Sequence, residues 1–148
     1  GGQGEIAPWG IDTIEFEDGT VWDDNAMSSR IASVVTGSPD NDWMGNMWAP
    51  TQMFGLAGDD TLIGGDGDDT LDGGSGDDSL NGNYGSDTYV FGRGSGSDTI
   101  EAWASTEGER DVVAFGEDIA AADIEVSRQD ANLVLTLSGG ADNGTIRN

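Results

Sequence analysis

Residues 55–90 read GLAGDDTLI, GGDGDDTLD, GGSGDDSLN and GNYGSDTYV. Each nonapeptide has glycine at positions one and four, aspartate at position six and a large apolar residue at position eight. A fixed period with the same chemistry in every unit indicates a stack of similar turns, each packing against its neighbours. The period therefore predicts a solenoid, and the remaining segments of the chain belong either to the stack or to its ends.

The first six positions of the nonapeptide predict a tight metal-binding turn. Glycine is needed there because the backbone often takes a positive φ and has no room for a Cβ. Such a turn directs several backbone carbonyls inward, and the aspartate at position six adds a carboxylate. Calcium takes about six to eight oxygen ligands with loose geometry, whereas magnesium needs a stricter octahedron. Because the loop offers only oxygens, calcium is the expected ion. The acidic residues at position five (Asp59, Asp68 and Asp77) are expected to be solvated or to support the ligands.

Positions seven to nine predict a short strand whose middle residue faces inward and whose neighbours face outward. Consecutive nonapeptides lie on opposite faces of the stack, so residues 18 positions apart stack on one another. One predicted inner ladder comprises Met44, Leu62, Leu80 and Ile100, and the other comprises Met53, Leu71 and Tyr89. The predicted outward residues at position seven are Thr61, Thr70, Ser79, Thr88 and Thr99.

Counting in nines extends the stack upstream of residue 55. Residues 37–45, GSPDNDWMG, form a degenerate repeat with Asp42 at position six. Residues 46–54, NMWAPTQMF, keep Met53 at position eight but have Thr51 in place of the aspartate. The calcium loop of that turn is therefore expected to be weak or lost.

Downstream of residue 90 the period breaks once and then resumes. Phe91 and Gly92 form a two-residue insert, after which RGSGSDTIE restores the pattern with Asp98 at position six and Ile100 at position eight. The stack is thus predicted to contain about seven turns between residues 37 and 101.

The nonapeptide run resembles the repeats-in-toxin (RTX) family, whose repeats wind into a right-handed parallel β-roll with calcium between the loops. The resemblance implies a mainly β fold, a calcium-stacked solenoid with antiparallel β caps on its flanks. It also implies that each ion lies between loops two repeats apart, held by their position-six aspartates and by loop carbonyls. The implied carboxylate ligands are Asp42, Asp60, Asp69, Asp78, Asp87 and Asp98. The implied backbone ligands lie at Gly55, Gly58, Gly64, Gly65, Gly67, Gly73, Gly74, Gly76, Gly82 and Gly85.

The same resemblance implies which loops share an ion. The implied pairs are Asp42 with Asp60, Asp60 with Asp78, Asp78 with Asp98, and, on the other edge, Asp69 with Asp87. Since the 46–54 loop lacks its aspartate, the family pattern implies on the order of four or five calcium ions.

The flanks divide the chain into three predicted units. Residues 1–36 form an N-terminal flank, residues 37–101 the roll, and residues 102–148 a C-terminal β cap. Alternation over residues 11–16, followed by a Glu-Asp-Gly turn, predicts a hairpin in the first unit. A short helix is predicted over residues 25–35 from apolar spacing at i, i+4 and i+7. Loosely, IDTIEFEDGTVWD resembles the end of a preceding RTX block, and the tail resembles the cap after such rolls in secreted proteins such as adenylate cyclase toxin.

The composition favours a cation as the partner of the chain and argues against nucleic acid and anionic membranes as partners. The chain has 29 acidic and 5 basic residues and a net charge of −24, which would repel nucleic acid and anionic membranes. It has no cysteine and no histidine, which removes thiolate metal sites, disulfides and the usual general base. No apolar run approaches membrane-spanning length.

These features predict a calcium-binding RTX module of a larger secreted bacterial protein. Its expected partners are calcium, adjacent RTX blocks or an effector domain of the parent chain, and the type I secretion machinery. It is expected to be disordered without calcium and to fold on binding it outside the cell. An extracellular adhesion or ligand-binding module built on the same roll is the alternative.

Four other functions fit less well. A disordered acidic linker would not need an apolar residue every nine positions. The tryptophans suggest a sugar site, but Trp22 and Trp103 are expected in a cap or in the core. Trp43, at an outward position, is expected either to pack under the preceding helix or to form a contact. Catalysis lacks a motif, because GxSxG, the Walker loop and HExxH are all absent. An ice-binding lattice is not expected, because loop position three holds Ala57, Asp66, Ser75, Tyr84 and Ser95.

Overall fold

A computed structural model describes residues 13–23, 33–45, 49–102 and 108–147 of the chain. These residues form short strands and one 3₁₀ helix, Ala121–Asp123. The strands are β1 (Thr13–Glu15), β2 (Val21–Asp23), β3 (Ser33–Thr36), β4 (Trp43–Gly45), β5 (Thr51–Phe54), β6 (Thr61–Asp66), β7 (Thr70–Asp72), β8 (Ser79–Tyr84), β9 (Thr88–Phe91), β10 (Ser97–Glu101), β11 (Val112–Phe115), β12 (Ile124–Gln129), β13 (Asn132–Leu137) and β14 (Asn143–Arg147). Within this part of the chain, no helix is long and apolar enough to cross a membrane.

Two sheets built from alternate strands make up the roll. One sheet has five strands in the order β11-β9-β7-β5-β3, and its pairings are parallel. The other has seven strands in the order β12-β13-β14-β10-β8-β6-β4, parallel from β4 to β14 and antiparallel from β14 to β12. This is the predicted parallel β-roll with an antiparallel cap at its C-terminal end.

The inward residues at position eight form the two predicted ladders. Met44, Leu62, Leu80 and Ile100 are aligned on adjacent strands, as are Met53, Leu71 and Tyr89. All seven are buried and form one core cluster. Full burial of one such side chain contributes roughly 1.5–3 kcal/mol, so the apolar residues at position eight favour packing of the two sheets face to face.

The structure extends both ladders beyond the predicted repeats. Val35 aligns with Met53, and Val113 aligns with Tyr89. In the other sheet, Ile146 of the cap aligns with Ile100. The parallel sheets therefore continue past residues 37 and 101, while the division of the chain into three units stays a prediction.

The predicted helix over residues 25–35 is wrong at its C-terminal end. Ser33–Thr36 form β3, which pairs in parallel with β5, and residues 25–32 lie outside the described part of the chain. Two consecutive β-branched residues, Val34 and Val35, suit a strand, and alignment of Val35 with Met53 adds one more rung to the core.

The C-terminal segment also differs from the expected cap. Val112–Phe115 was expected to belong to the antiparallel cap, but it pairs in parallel with β9 as the last strand of the five-stranded sheet. Phe115 packs edge-on against Phe91, with ring centroids 6.1 Å apart. The predicted N-terminal hairpin is present as β1 and β2 in antiparallel register.

Candidate metal centre

A ladder of aspartates runs along the loop edges of the roll. The carboxylate at position six accepts, through Oδ1, the backbone N–H of the position-six residue two turns earlier. The N–H donors and Oδ1 acceptors are Asp42 to Asp60 (2.7 Å), Thr51 to Asp69 (2.7 Å), Asp60 to Asp78 (2.8 Å), Asp69 to Asp87 (2.9 Å) and Asp78 to Asp98 (3.1 Å). Four of these five bonds join loop pairs that the family resemblance implies, and the Thr51–Asp69 bond joins one further pair.

The second oxygen of four of these carboxylates is buried without a hydrogen-bond partner among the described residues. The four atoms are the Oδ2 atoms of Asp60, Asp69, Asp78 and Asp87. Their side chains belong to residues that are at most 2% exposed. A buried charged oxygen without a partner costs several kcal/mol, so such an arrangement is expected only where a cation compensates it.

Each buried Oδ2 lies beside the position-one glycine of its own repeat. A Cβ at Gly55 would overlap both Asp60 Oδ2 and the carbonyl oxygen of Gly73, which is two turns further on. A Cβ at Gly64 would likewise overlap Asp69 Oδ2 and approach the Gly82 carbonyl. At Gly55 and Gly64, the absence of a side chain thus leaves a carboxylate oxygen and a carbonyl oxygen, from stacked turns two repeats apart, facing a shared space.

Two further loop positions require left-handed backbone. Position four has φ values of +106°, +104°, +138° and +120° at Gly58, Gly67, Gly76 and Gly85. Position two has φ values of +85°, +136°, +95° and +66° at Leu56, Gly65, Gly74 and Asn83. Glycine adopts these angles without steric cost and asparagine tolerates them, whereas leucine does not. The repeated conformation places the loop carbonyls in equivalent positions in every turn.

Burial raises the pKa values of four carboxyls of the ladder far above the usual range of aspartate. The pKa of Asp69 and of Asp98 is raised to about 7, and that of Asp78 and of Asp87 to about 6. Hydrogen bonds from backbone N–H groups partly oppose the shift, and neighbouring carboxylates add to it. The charged forms are therefore poorly stabilised by the protein alone, which is the electrostatic signature of a cation site.

The ladder residues fit a hard cation held mainly by backbone oxygens. Within the described residues, three or more acidic side chains do not group around one metal-sized point. Asp60 and Asp69 instead each bring one carboxylate oxygen close to a glycine carbonyl of the next stacked turn, that of Gly73 and of Gly82. An oxygen-only donor set with few carboxylates per ion suits calcium, whose coordination is large and tolerant.

The first turns of the stack depart from this arrangement. Asp42 Oδ2 accepts hydrogen bonds from the Ser38 backbone N–H and from Ser38 Oγ, the latter at 2.9 Å, so it is not an unpartnered oxygen. Thr51 stands where the aspartate is expected, is 1% exposed, and donates its Oγ1 hydrogen to the Ala49 carbonyl at 2.8 Å. The roles of the predicted aspartate and glycine ligands stay predictions, but these two loops are the least suited to an ion.

A second ladder of side chains follows position five at the surface. Asn41, Asp59 and Asp77 accept, through Oδ1, the N–H of the position-five residue in the next stacked turn, at 2.9, 3.0 and 2.9 Å. Asp68 does the same for Ser86 at 2.8 Å. These exposed carboxylate and amide side chains join each loop to the next stacked loop and hold the turns in register.

Two aspartates outside the predicted nonapeptides also hold the loops of the stack through hydrogen bonds. Asp111 Oδ1 accepts the N–H of Asp87 at 3.0 Å and so continues the position-six ladder. Asp142 accepts the N–H groups of Gly94 and Gly96 at 3.0 and 3.1 Å, which attaches the cap to the last repeat loop. The sequence signal for Asp111 is its spacing of two residues before the inward Val113, the same spacing as in every repeat.

The fold and the loops together define a calcium-binding repeat solenoid, and comparisons with known proteins agree. Residues 52–80 and 63–100 match the family model of the RTX calcium-binding nonapeptide repeat, which describes four copies. This part of the chain consists of RTX calcium-binding repeats. No curated protein matches the chain.

Solved structures add a likeness over most of the chain. The crystal structure of the extracellular lipase LipA from Serratia marcescens matches with a TM-score of 0.59 and 27% sequence identity. The match covers 76% of this chain but only 18% of the lipase chain. The chain thus corresponds to less than one fifth of that protein's length, and no catalytic motif was found in its own sequence.

Proposed function

We propose that the chain is a calcium-dependent folding module of a larger secreted bacterial protein. Without calcium the roll is disordered, and with calcium outside the cell it folds and supports secretion and folding of the parent through a type I pathway. The observation that carries this proposal is the set of buried, unpartnered Oδ2 atoms at Asp60, Asp69, Asp78 and Asp87. A chain that folds around such atoms needs a cation to do so.

The disorder of the metal-free chain follows from its charge and composition. The acidic side chains, which give the chain a net charge of −24, repel one another in the compact state. The 25 glycines also lose much backbone entropy on folding. The core offsets this with only one inward side chain per turn. When calcium joins adjacent turns, its binding free energy becomes folding free energy. Calcium binding therefore shifts the equilibrium from the disordered chain to the folded roll.

The expected affinity suits a switch between cell compartments. Extracellular calcium modules bind at about 10⁻⁴ to 10⁻³ M, far above the resting calcium level of a cytosol. The chain would then stay unfolded before export and fold after it. We further propose on the order of four or five ions per chain, shared between the loop pairs joined by the ladder hydrogen bonds.

A calcium titration tests the proposal. Far-ultraviolet circular dichroism of the chelated chain should show disorder, and millimolar calcium should produce a β spectrum that chelation reverses. Magnesium at the same concentration should leave the spectrum nearly unchanged. Native mass spectrometry of the loaded chain counts the ions. A spectrum unchanged by calcium, or a midpoint below micromolar, would contradict the proposal.

A further inference from the structure

The outer face of the seven-stranded sheet carries an uncharged strip that calcium binding does not explain. Position seven of successive strands faces outward there, and its residues are aligned from one edge of the parallel part to the other. The members of this hydroxyl strip are Trp43, Thr61, Ser79, Thr99 and Thr145. Because neighbouring strands lie about 4.8 Å apart, the strip is roughly 19 Å long.

An exposed indole forms one end of the hydroxyl strip. Trp43 lies on the edge strand of the sheet and is 72% exposed. Its six-membered ring lies against Gly45, since a Cβ there would be 3.2 Å from Cη2 and 3.5 Å from Cζ3. The missing Cβ at Gly45 leaves room for the indole, and with Trp43 72% exposed most of the aromatic ring is open to solvent.

The hydroxyl strip is neutral although the chain as a whole is strongly acidic. In a chain of net charge −24, its five members carry no charge. The neighbouring outward row begins with Gly45, Ile63 and Asn81, and its Glu101 is paired with Arg147 at 3.4 Å. The position-six carboxylates lie at the loop edges instead. A cationic partner would therefore prefer the loops, and an anionic one would be repelled by the whole molecule.

Hydroxyl groups beside an open aromatic face match the chemistry of neutral sugars. Hydroxyls donate and accept hydrogen bonds with other hydroxyls, and an aromatic ring stacks on the apolar C–H face of a sugar ring. The members lie in one row across five neighbouring strands, which suits an extended chain and not a single small molecule. We propose that the hydroxyl strip binds an extended, neutral, β-linked polysaccharide, with one sugar ring stacked on Trp43.

Two hexasaccharides of the same monomer test this proposal. Cellohexaose is an extended β-linked ribbon, whereas maltohexaose is α-linked and coils. The calcium-loaded chain, with its β spectrum verified, should bind cellohexaose in isothermal titration calorimetry with a change in tryptophan fluorescence. Maltohexaose should bind at least tenfold more weakly. Binding of both sugars with equal affinity, or of neither by the folded chain, would overturn the proposal.

Variants locate the site and separate it from folding. Trp43→Ala should weaken cellohexaose binding about tenfold, whereas Trp43→Tyr should keep it within about threefold, because an aromatic face is retained. Thr61→Val removes one hydroxyl at constant shape and should weaken binding severalfold. Val34→Ala, on the outer face of the other sheet and also exposed, should bind like the parent.

Each variant is first titrated with calcium to show that it still folds. If Trp43→Ala does not fold, the test rests on Thr61→Val. Unchanged cellohexaose affinity of the Thr61→Val variant would then refute the hydroxyl strip as the binding site. Unchanged affinity in a folded Trp43→Ala variant would do the same. The calcium-induced β spectrum is measured separately, so a negative result here leaves the folding proposal standing.

Discussion

Asp111 accepts the backbone N–H of Asp87 through Oδ1 at 3.0 Å, although 24 residues separate them. The other rungs of the same ladder join residues 18 or 20 positions apart. The ladder thus depends on where the aspartate enters the strand, two residues before the inward side chain, and not on the length of the loop that precedes it.

Removing the Asp111 carboxylate should weaken the end of the roll. Asp111→Ala leaves the Asp87 N–H without its acceptor, which costs about 1–3 kcal/mol for a buried group. We expect a lower melting temperature in calcium and a higher calcium midpoint. Asp111→Asn keeps an oxygen acceptor and should recover most of the melting temperature. Thermal unfolding followed by circular dichroism measures both, and an Ala variant as stable as the parent would contradict this role.

The inner ladders could be predicted from the sequence, but the ends of the roll could not. A strict period of nine determines which residues stack, and Leu62, Leu71 and Leu80 lie where it places them. A short strand over residues 111–115 was predicted from the sequence, but as part of the antiparallel cap, and its parallel pairing with β9 is visible only in the structure. Residues 25–35 matched a helical spacing because a few apolar residues fit either period, and tertiary pairing with β5 decided in favour of a strand at its end.

Neutralising a ladder carboxylate should move calcium affinity and metal-free stability in opposite directions. Asp69→Asn keeps the Oδ1 acceptor for Thr51 but removes a charge that is buried. We expect the calcium midpoint to rise about tenfold, equivalent to about 1.4 kcal/mol, while the chelated protein becomes less disordered. Circular dichroism titrations with and without chelator measure both quantities.

Asp130→Asn is the matched control for Asp69→Asn. Asp130 is exposed in the turn between β12 and β13 at φ +57°, a conformation that asparagine also tolerates. The same loss of one negative charge should there leave the calcium midpoint within about twofold. If both variants shift the midpoint equally, net charge and not the ladder position would be responsible.

A side chain at position four should block the stacking of two turns. Gly85 has φ +120°, and a Cβ there would overlap the carbonyl oxygen of Gly67 in the turn below. Gly85→Ala should therefore cost more than about 2 kcal/mol and raise the calcium midpoint strongly. Gly139 also has a left-handed φ, +83°, but a Cβ there would have nothing within 4 Å. Gly139→Ala therefore measures the cost of the backbone conformation without a steric clash. Equal destabilisation of the two variants would argue against close packing of the loops.

The backbone strain at Leu56 is visible only in the structure. Three of the four clean repeats have glycine or asparagine at position two, whereas the first has leucine at φ +85°. Leu56→Gly should stabilise the calcium-loaded roll by about 0.5–1 kcal/mol, because relief of strain exceeds the added entropy of the unfolded glycine. Leu56 is 48% exposed, so little apolar burial is lost. A lower melting temperature of Leu56→Gly would contradict the conclusion that the Leu56 backbone is strained.

The burial of the carboxylate oxygens could not be predicted from the sequence either, because the sequence shows how the aspartates are spaced but not how exposed they are. That Asp69 and Asp98 are buried follows only from the stacking of loops above and below them. Burial raises the pKa of both carboxyls to about 7 from an ordinary value of 3.8. This shift has a measurable consequence, because protons and calcium then compete for the same oxygens.

Acidification should partly replace calcium in the metal-free chain. A carboxyl whose pKa is raised by folding stabilises the fold when protonated, and this contribution is lost as the pH rises through the folded-state pKa. With folded values of about 6 to 7 at Asp69, Asp78, Asp87 and Asp98, the chelated chain should gain β structure as the pH falls from 7.5 to 5. Over the same range the calcium midpoint should rise, since protons must be displaced. Asp69→Asn should show a smaller pH dependence in both measurements, which separates the ladder from general charge neutralisation. A chelated chain equally disordered at pH 5 and pH 7.5 would show that these carboxyls do not govern folding.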